Sequence, residues 1–313
     1  MDRRESPSRK DDYVISLKRV PAESPHKKTG EKLKPAAIGV AIPEVSPDDD
    51  ARVALADWMA DKKNPFFAKS LVNRYWKILF NRGLVDPEDD MRETNPPSHP
   101  ELLDALAQDF VQSGYDLKKL LRTLTNSSAY QLDSTPNSHN GDDTQYFSRY
   151  YSRRLSAEVY MDAINQVTGS SDSWGNQPQG TRAIQLPDDS YNNVGLLREF
   201  GRPESMTACT CERQTSASLG QSLLLASSVQ IQEKLQVNAG MANRLAFDIK
   251  RTNEEKLQEL YMAAYSRPAQ PSEVEVALAF LEKSKSQPNA LPQRAWEDLV
   301  WVVLCSGEFL VNH

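Results

Sequence analysis

Residues 66–81 read FFAKSLVNRYWKILFN, and this run decides the fold class. Phe67, Leu71, Val72, Tyr75, Ile78 and Leu79 recur three and four apart, the spacing of one face of an α-helix. Ser70, Asn73, Arg74 and Lys77 fall on the opposite, polar face. Asn64-Pro65 just ahead is a break, because proline disfavours helical geometry at the residue before it. Working towards the N-terminus, Ser46, Pro47 and Asp49 supply a cap, a first-turn proline and an acid against the helix dipole. Leu55, Trp58 and Met59 follow at helical spacing.

Working towards the C-terminus, the pattern repeats. A loop at 82–97 leads to Ser98 and Glu101, which have capping-box spacing. Leu102, Leu103, Leu106, Phe110 and Val111 then form a stripe that Gly114 ends. Asp116 caps a helix bearing Leu117, Leu120, Leu121 and Leu124. Residues 148–168 predict a longer helix, with Leu155, Val159, Ala163, Ile164 and Val167 inward and Gly169 as its stop. Thr252 with Glu255 and Ser272 with Glu275 mark two further starts, and Trp296, Leu299, Val300 and Val303 line the last helix.

The chain therefore reads as mainly α: two helical blocks joined by an irregular middle segment rich in Gly, Pro and Ser. The blocks are residues 46–169 and 215–313, with the connecting segment at 170–214. A length of that size without helical periodicity is unusual inside a domain unless it serves a function. Residues 1–45, with the basic pairs Arg3-Arg4, Lys18-Arg19 and Lys27-Lys28, predict an extended basic arm with one strand and little packing.

At 313 residues, the chain can bury roughly three quarters of the surface it exposes when unfolded. Its net charge of −6 argues against a nucleic-acid partner. No run has the length of a membrane-spanning helix. The opening residues lack the apolar core of a secretory signal, which taken literally places the chain in the cytoplasm and taken as part of a longer chain places it nowhere.

Several chemistries have no motif here: no Gly-x-Ser-x-Gly elbow, no phosphate-binding Gly-x-Gly-x-x-Gly loop and no His-Glu-x-x-His zinc pair. Histidines at 26, 99, 139 and 313 are scattered. Cys209 and Cys211 stand two apart and are followed by Glu212, which excludes a c-type haem attachment, so no cofactor is expected in this chain. With Cys305 they offer three ligands where a structural zinc wants four, and no metal is expected. Three thiol arrangements stand open: buried free thiols, a strained and labile bridge within the pair, or a bridge from one of the pair to Cys305.

The loop after residue 81 holds the densest candidate chemistry: Arg82, Asp86, Asp89, Asp90, Arg92, Asn95 and His99. Neighbouring carboxylates can hold a divalent cation or divide acid and base roles, which makes Asp89, Asp90 and His99 the catalytic candidates. The same residues also build Asx-turns and ion pairs, and the alternating signs predict Arg82 and Arg92 paired with the acids of 86–90 in a buried network. Asn73, Arg74, Arg82, Arg92, Arg154, Glu158, Arg182 and Arg202 form the candidate ligand-binding set, because several arginines among acids suit a sulfate or uronate group. They serve equally well as ion pairs that knit the fold.

A series of motifs in order carries a family resemblance: Leu55-Ala56-Asp57-Trp58, Asn64-Pro65-Phe66-Phe67-Ala68, Val72-Asn73-Arg74-Tyr75-Trp76, Arg82-Gly83-Leu84-Val85 and the run NPPSHPELLDALA at 95–107. Further along come Arg153-Arg154-Leu155, Gly180-Thr181-Arg182-Ala183-Ile184-Gln185-Leu186-Pro187, Phe200-Gly201-Arg202-Pro203, Cys209-Thr210-Cys211-Glu212-Arg213 and Glu308-Phe309-Leu310-Val311-Asn312-His313. Over about residues 50–313 the chain resembles the PSD-type domain of unknown function that follows the cytochrome c domain in secreted planctomycete proteins. It departs at Leu304-Cys305-Ser306-Gly307, and the upstream cytochrome is missing, which implies a truncated or split chain. The resemblance implies an extracytoplasmic location and no catalytic residue. It also implies a cytochrome c domain or a secreted sulfatase-like protein as partner, and polysaccharide as ligand by association.

Two functional readings follow, and the residues leave open whether the chain is an enzyme. One is a non-catalytic helical scaffold or binding module of an extracytoplasmic, cytochrome-associated protein. The other is an extracytoplasmic enzyme acting on plain or sulfated polysaccharide.

Overall fold

The computed structural model describes residues 2–6, 9–16, 23–34, 49–187, 195–202, 221, 225, 227–286 and 291–312. The fold is mainly α. Its contacts divide the chain into two units, Met1–Tyr151 and Ser152–His313. The division lies ahead of the last helix that the periodicity assigns to the first block.

In the first unit the basic arm forms two antiparallel pairs in place of one strand: β1 (Asp2–Ser6) with β2 (Arg9–Ser16), and β3 (Ser24–Pro25) with β4 (Lys32–Leu33). A strand leaves its backbone N–H and C=O groups to be satisfied by a neighbour, so strands come in pairs. Residues 23–34 are exposed throughout. Helix α1 (Ala51–Ala60) is capped by Asp50, which accepts the Arg52 N–H at 3.0 Å, four residues past the Ser46 cap that the sequence favours; Ser46 and Pro47 lie outside the described residues. Leu55 on this helix is exposed and Trp58 half-buried.

Helix α2 (Phe67–Phe80) buries Ala68, Val72, Asn73, Trp76 and Phe80, a face rotated from the expected one. Ile78, expected inward, is 54% exposed. The helix is apolar on several sides, and the face with two large aromatics removes the most area from water. Trp76 and Phe80 stack at 4.0 Å, and Phe147 meets Trp76 edge-on at 5.3 Å. Helices α3 (Pro100–Gln112) and α4 (Leu117–Thr125) complete this core with Leu103, Ala107, Phe110, Leu120 and Leu124. Asp116 caps α4 through the N–H groups of Lys118 and Lys119.

In the second unit the helix expected at 148–168 starts only at Ala157. Before it, β5 (Arg153–Arg154) pairs with β6 (Val311–Asn312), and the Leu155 N–H donates to the Leu310 carbonyl at 2.9 Å. The motifs Arg153-Arg154-Leu155 and Leu310-Val311-Asn312 are therefore two edges of one ladder. Helix α5 (Ala157–Thr168) buries Tyr160, Met161, Ile164 and Val167, while Val159 faces out. Around it lie α6 (Gly195–Glu199), α7 (Val229–Leu235), α8 (Met241–Phe247), α9 (Asn253–Tyr265), α10 (Pro271–Lys285) and α11 (Pro292–Leu304). Leu197, Ile231, Leu245, Leu257, Leu260, Val300 and Leu304 join the same core.

The Thr252–Glu255 capping box forms as expected. The other two fall elsewhere for a shared reason. Proline lacks an N–H and holds its φ ready for the first helical position. Pro271 therefore moves the box of α10 to Gln270–Glu273, and Pro100 leaves His99, not Ser98, at the N-cap of α3. No helix among the described residues is long and apolar enough to cross a membrane.

Candidate functional site

The acidic loop at 82–98 rests on one buried amide. Asn73 is fully buried on α2, a correction to the polar-face position that helical spacing suggests. Its Nδ2 donates to the Val85 carbonyl at 2.8 Å and the Glu88 carbonyl at 3.3 Å, and its Oδ1 accepts the Val85 N–H at 3.0 Å. A neutral amide can sit in a core because both of its polar ends are satisfied there. Gly83 lies against this bond pair. A Cβ at that position would stand 2.2 Å from the Val85 carbonyl oxygen and 3.1 Å from the Asn73 amide. Val72-Asn73-Arg74 and Arg82-Gly83-Leu84-Val85 are thus halves of one clasp. Asn95 pins the far side, donating to the Asp90 carbonyl at 3.0 Å, and the Ser98 N–H reaches the Leu84 carbonyl at 2.7 Å.

On this frame the charged side chains pair outward. Arg74 holds Asp89 and Lys77 holds Glu88. Arg82 stands 3.5 Å from Asp86. Arg92 grips Asp90 with two bonds of 2.5 and 2.6 Å. The pairing follows the alternation of signs, but the network is not buried: the Arg92 side chain is 76% exposed. The hydrogen bond from Arg92, with its charge, holds the Asp90 carboxyl below its ordinary value. Burial pushes Glu88 up, but its bond to Lys77 and the nearby positive charge leave it below its ordinary value. His99 takes no part in these pairs. Its Nδ1 meets the Ser98 hydroxyl at 3.1 Å, and its ring packs near Tyr146 and Phe147.

In the second unit the remaining candidates are Arg154, Glu158, Arg182 and Arg202. The Arg154 guanidinium lies over the Phe200 ring at 5.3 Å. Glu158 and Arg202 form a buried pair at 3.5 Å. Arg182 stands 3.4 Å from Asp162, and Asp162 itself accepts the Ala183 and Ile184 N–H groups at 2.7 and 3.2 Å. That buried carboxylate fixes the turn at Ala183–Gln185 inside the Gly180–Pro187 motif. Cys209 and Cys211 lie outside the described residues. Cys305 is a free thiol, and burial pushes it up to about 11.

Three polar devices escaped the sequence reading. Lys234 on α7 is buried and donates to Asn165 and Asp172, both at 2.6 Å, and Asn165 donates to Asp172 at 2.7 Å. Arg267 forks onto Glu308 and Glu273 at 2.6–2.9 Å while lying over Tyr261 and Tyr265. Asp143 accepts four hydrogen bonds within its own loop. The first two join residues far apart in sequence and leave no local signal. The third has one, since an Asp two or three residues ahead of its donors is an Asx-turn pattern.

Among known families, the model of PSD1, described as a protein of unknown function (DUF1553), matches residues 51–281. No curated protein and no solved structure matches the chain.

Proposed function

Given that this chain belongs to the PSD1 family of proteins of unknown function, we propose that it works as a non-catalytic helical binding module outside the cytoplasm. The observation that carries this reading is the pairing of the acidic loop. A general base needs a lone pair turned to the substrate, and a cation site needs several oxygens turned to one point. Asp86, Glu88, Asp89 and Asp90 each face a different arginine or lysine. Side chains so arranged are committed to one another, and the loop that bears them takes its outline from Asn73 and Asn95. A loop of fixed shape is suited to being recognised or to gripping a partner. A cytochrome c domain, a secreted sulfatase-like protein or a polysaccharide are the partners this reading takes.

The test measures binding and turnover together. The whole chain is presented to plain and sulfated glycans and to a cytochrome c domain, and the products are analysed. Binding with the ligand recovered intact supports the module. Turnover that falls in Asp89→Asn, Asp90→Asn or His99→Gln ends this reading and makes the chain an enzyme acting on polysaccharide.

A further inference from the structure

The loop that leads out of α4 ends in two consecutive aromatics turned in opposite directions. Phe147 is buried, packs edge-on against Trp76 and donates its N–H to the Tyr151 hydroxyl at 3.0 Å. Tyr146 is 63% exposed. The reversal runs through a positive φ of 57° at Phe147, a conformation that a bulky residue rarely adopts and that persists only where the surroundings enforce it. The enforcement comes from Asp143. Its carboxylate accepts the N–H groups of Gln145, Tyr146 and Ser148 at 2.8–2.9 Å and the Ser148 hydroxyl at 2.5 Å. Asn140 adds a bond to the Ser148 carbonyl at 3.2 Å. The exposed ring is thus held by its own backbone.

We propose that Tyr146, with His99 beside it, is a stacking platform for the sugar rings of a neutral polysaccharide. A pyranose ring offers an apolar C–H face and a rim of hydroxyls, and it is matched by an aromatic face with polar groups at its edge. The Tyr146 and His99 rings stand 5.9 Å apart at 77°, an edge-to-face contact that sets the imidazole beside the exposed phenol. His99 Nδ1 is taken by Ser98, and its Nε2 has no protein partner among the described residues. The exposed Gln145 adds an amide on the same turn.

Charge selects a neutral polymer over an anionic one. The sequence holds no lysine or arginine between Arg122 and Arg149, while Asp133, Asp142 and Asp143 fall inside that stretch. A sulfated or uronate chain lying on Tyr146 would meet like charge. The inference rests on the binding-module reading for its role, and it names a ligand class and a contact residue that the acidic loop does not supply.

Electrophoresis of the whole native chain through gels holding a glucan, a galactomannan, a xyloglucan or dextran sulfate tests it. Retardation is expected in at least one neutral gel. Tyr146→Ala should weaken that binding about tenfold, a loss of about 1.4 kcal/mol, and Tyr146→Trp should keep it. The thermal midpoint of Tyr146→Ala should match the parent, because an exposed ring contributes little to the core. Unretarded migration of the parent in every neutral gel, equal retardation of Tyr146→Ala, or stronger binding to dextran sulfate overturns the proposal. So does self-association of the parent that Tyr146→Ala abolishes without any effect on retardation, which marks a protein contact. Turnover of the polymer would end the binding-module reading and leave the Tyr146 dependence standing, so the two failures are distinguishable.

Discussion

The charged groups of the first unit lie mostly outside, as Arg74–Asp89 and Arg92–Asp90 do, while a neutral amide, Asn73, occupies the interior. The second unit puts charge inside. Lys234 with Asp172, Glu158 with Arg202, and the Asp162 carboxylate on the Ala183 turn are all wholly or largely removed from water. The difference matters because the two designs fail differently. Breaking an exposed pair returns two ions to water at little cost. Removing one member of a buried pair leaves the other charge without compensation.

The largest effect expected from this contrast is at Asp172. Asp172→Ala leaves the Lys234 side chain, only 8% exposed, with the Asn165 amide oxygen as the remaining partner of its ammonium. The cost should be about 3–5 kcal/mol, read by denaturant unfolding. Faster hydrogen exchange should be confined to α5, α7 and their neighbours. Asp172→Ala with unchanged exchange on those helices would break the comparison.

Next comes the neutral amide. Asn73→Ala removes three hydrogen bonds and leaves backbone groups of Val85 and Glu88 unsatisfied, for about 1–3 kcal/mol. Gly83→Ala should damage the same clasp by forcing Val85 away from Asn73. If Asn73→Ala costs as much as Asp172→Ala, charge is not what separates the units.

Acid gives a third, smaller contrast within the first unit. Burial pushes the Asp143 carboxyl up, but the Ser148 hydroxyl and three backbone N–H groups outweigh it and hold the group well below its ordinary value. A carboxyl depressed in the folded state adds stability that is fully present above its unfolded value of about 4. That stability is lost as pH falls through the folded value. Asp143→Asn should therefore lower stability most at neutral pH and flatten the acid limb below about pH 4, where the parent loses the same contribution by protonation. An unchanged acid limb would show that the Asp143 bonds do not survive in solution.

These cases also show what was legible from sequence. Helices were, because their periodicity is local: Val72, Leu103, Phe110, Leu120 and Leu124 are buried as their spacing implies. Faces were less so, since α2 has apolar residues on several sides and Trp76 with Phe80 drew it away from Ile78. Helix starts slipped wherever proline took the first position, as at Pro100 and Pro271. The segment 148–156 misled because Leu155 continues a helical spacing while its backbone bonds lie across the fold at Leu310. The candidate site divided along the same line. The pairs at 82–92 are near neighbours and show as alternating signs, whereas Lys234–Asp172 and Arg267–Glu308 join residues 62 and 41 apart. The inward position of Asn73 could be seen only once Val85 and Glu88 stood over it.

The smallest effect expected is at Asp90, the residue whose sequence neighbourhood advertises it most. A buried network there would make Asp90→Ala as costly as the loss of the Asn73 amide. Arg92 is instead largely in water, so the guanidinium left behind is solvated at once. Exposed pairs of this kind contribute about 0–1 kcal/mol, and salt screens them further. Asp90 does hold the loop in another way, because its carbonyl accepts from Asn95, but that bond belongs to the backbone and survives the substitution. Asp90→Ala should therefore shift the unfolding midpoint little at low salt and not at all in about 1 M salt, where the Debye length falls to about 3 Å. A cost above about 2 kcal/mol, far beyond what an exposed pair supplies, would mean that the first unit buries charge as the second does.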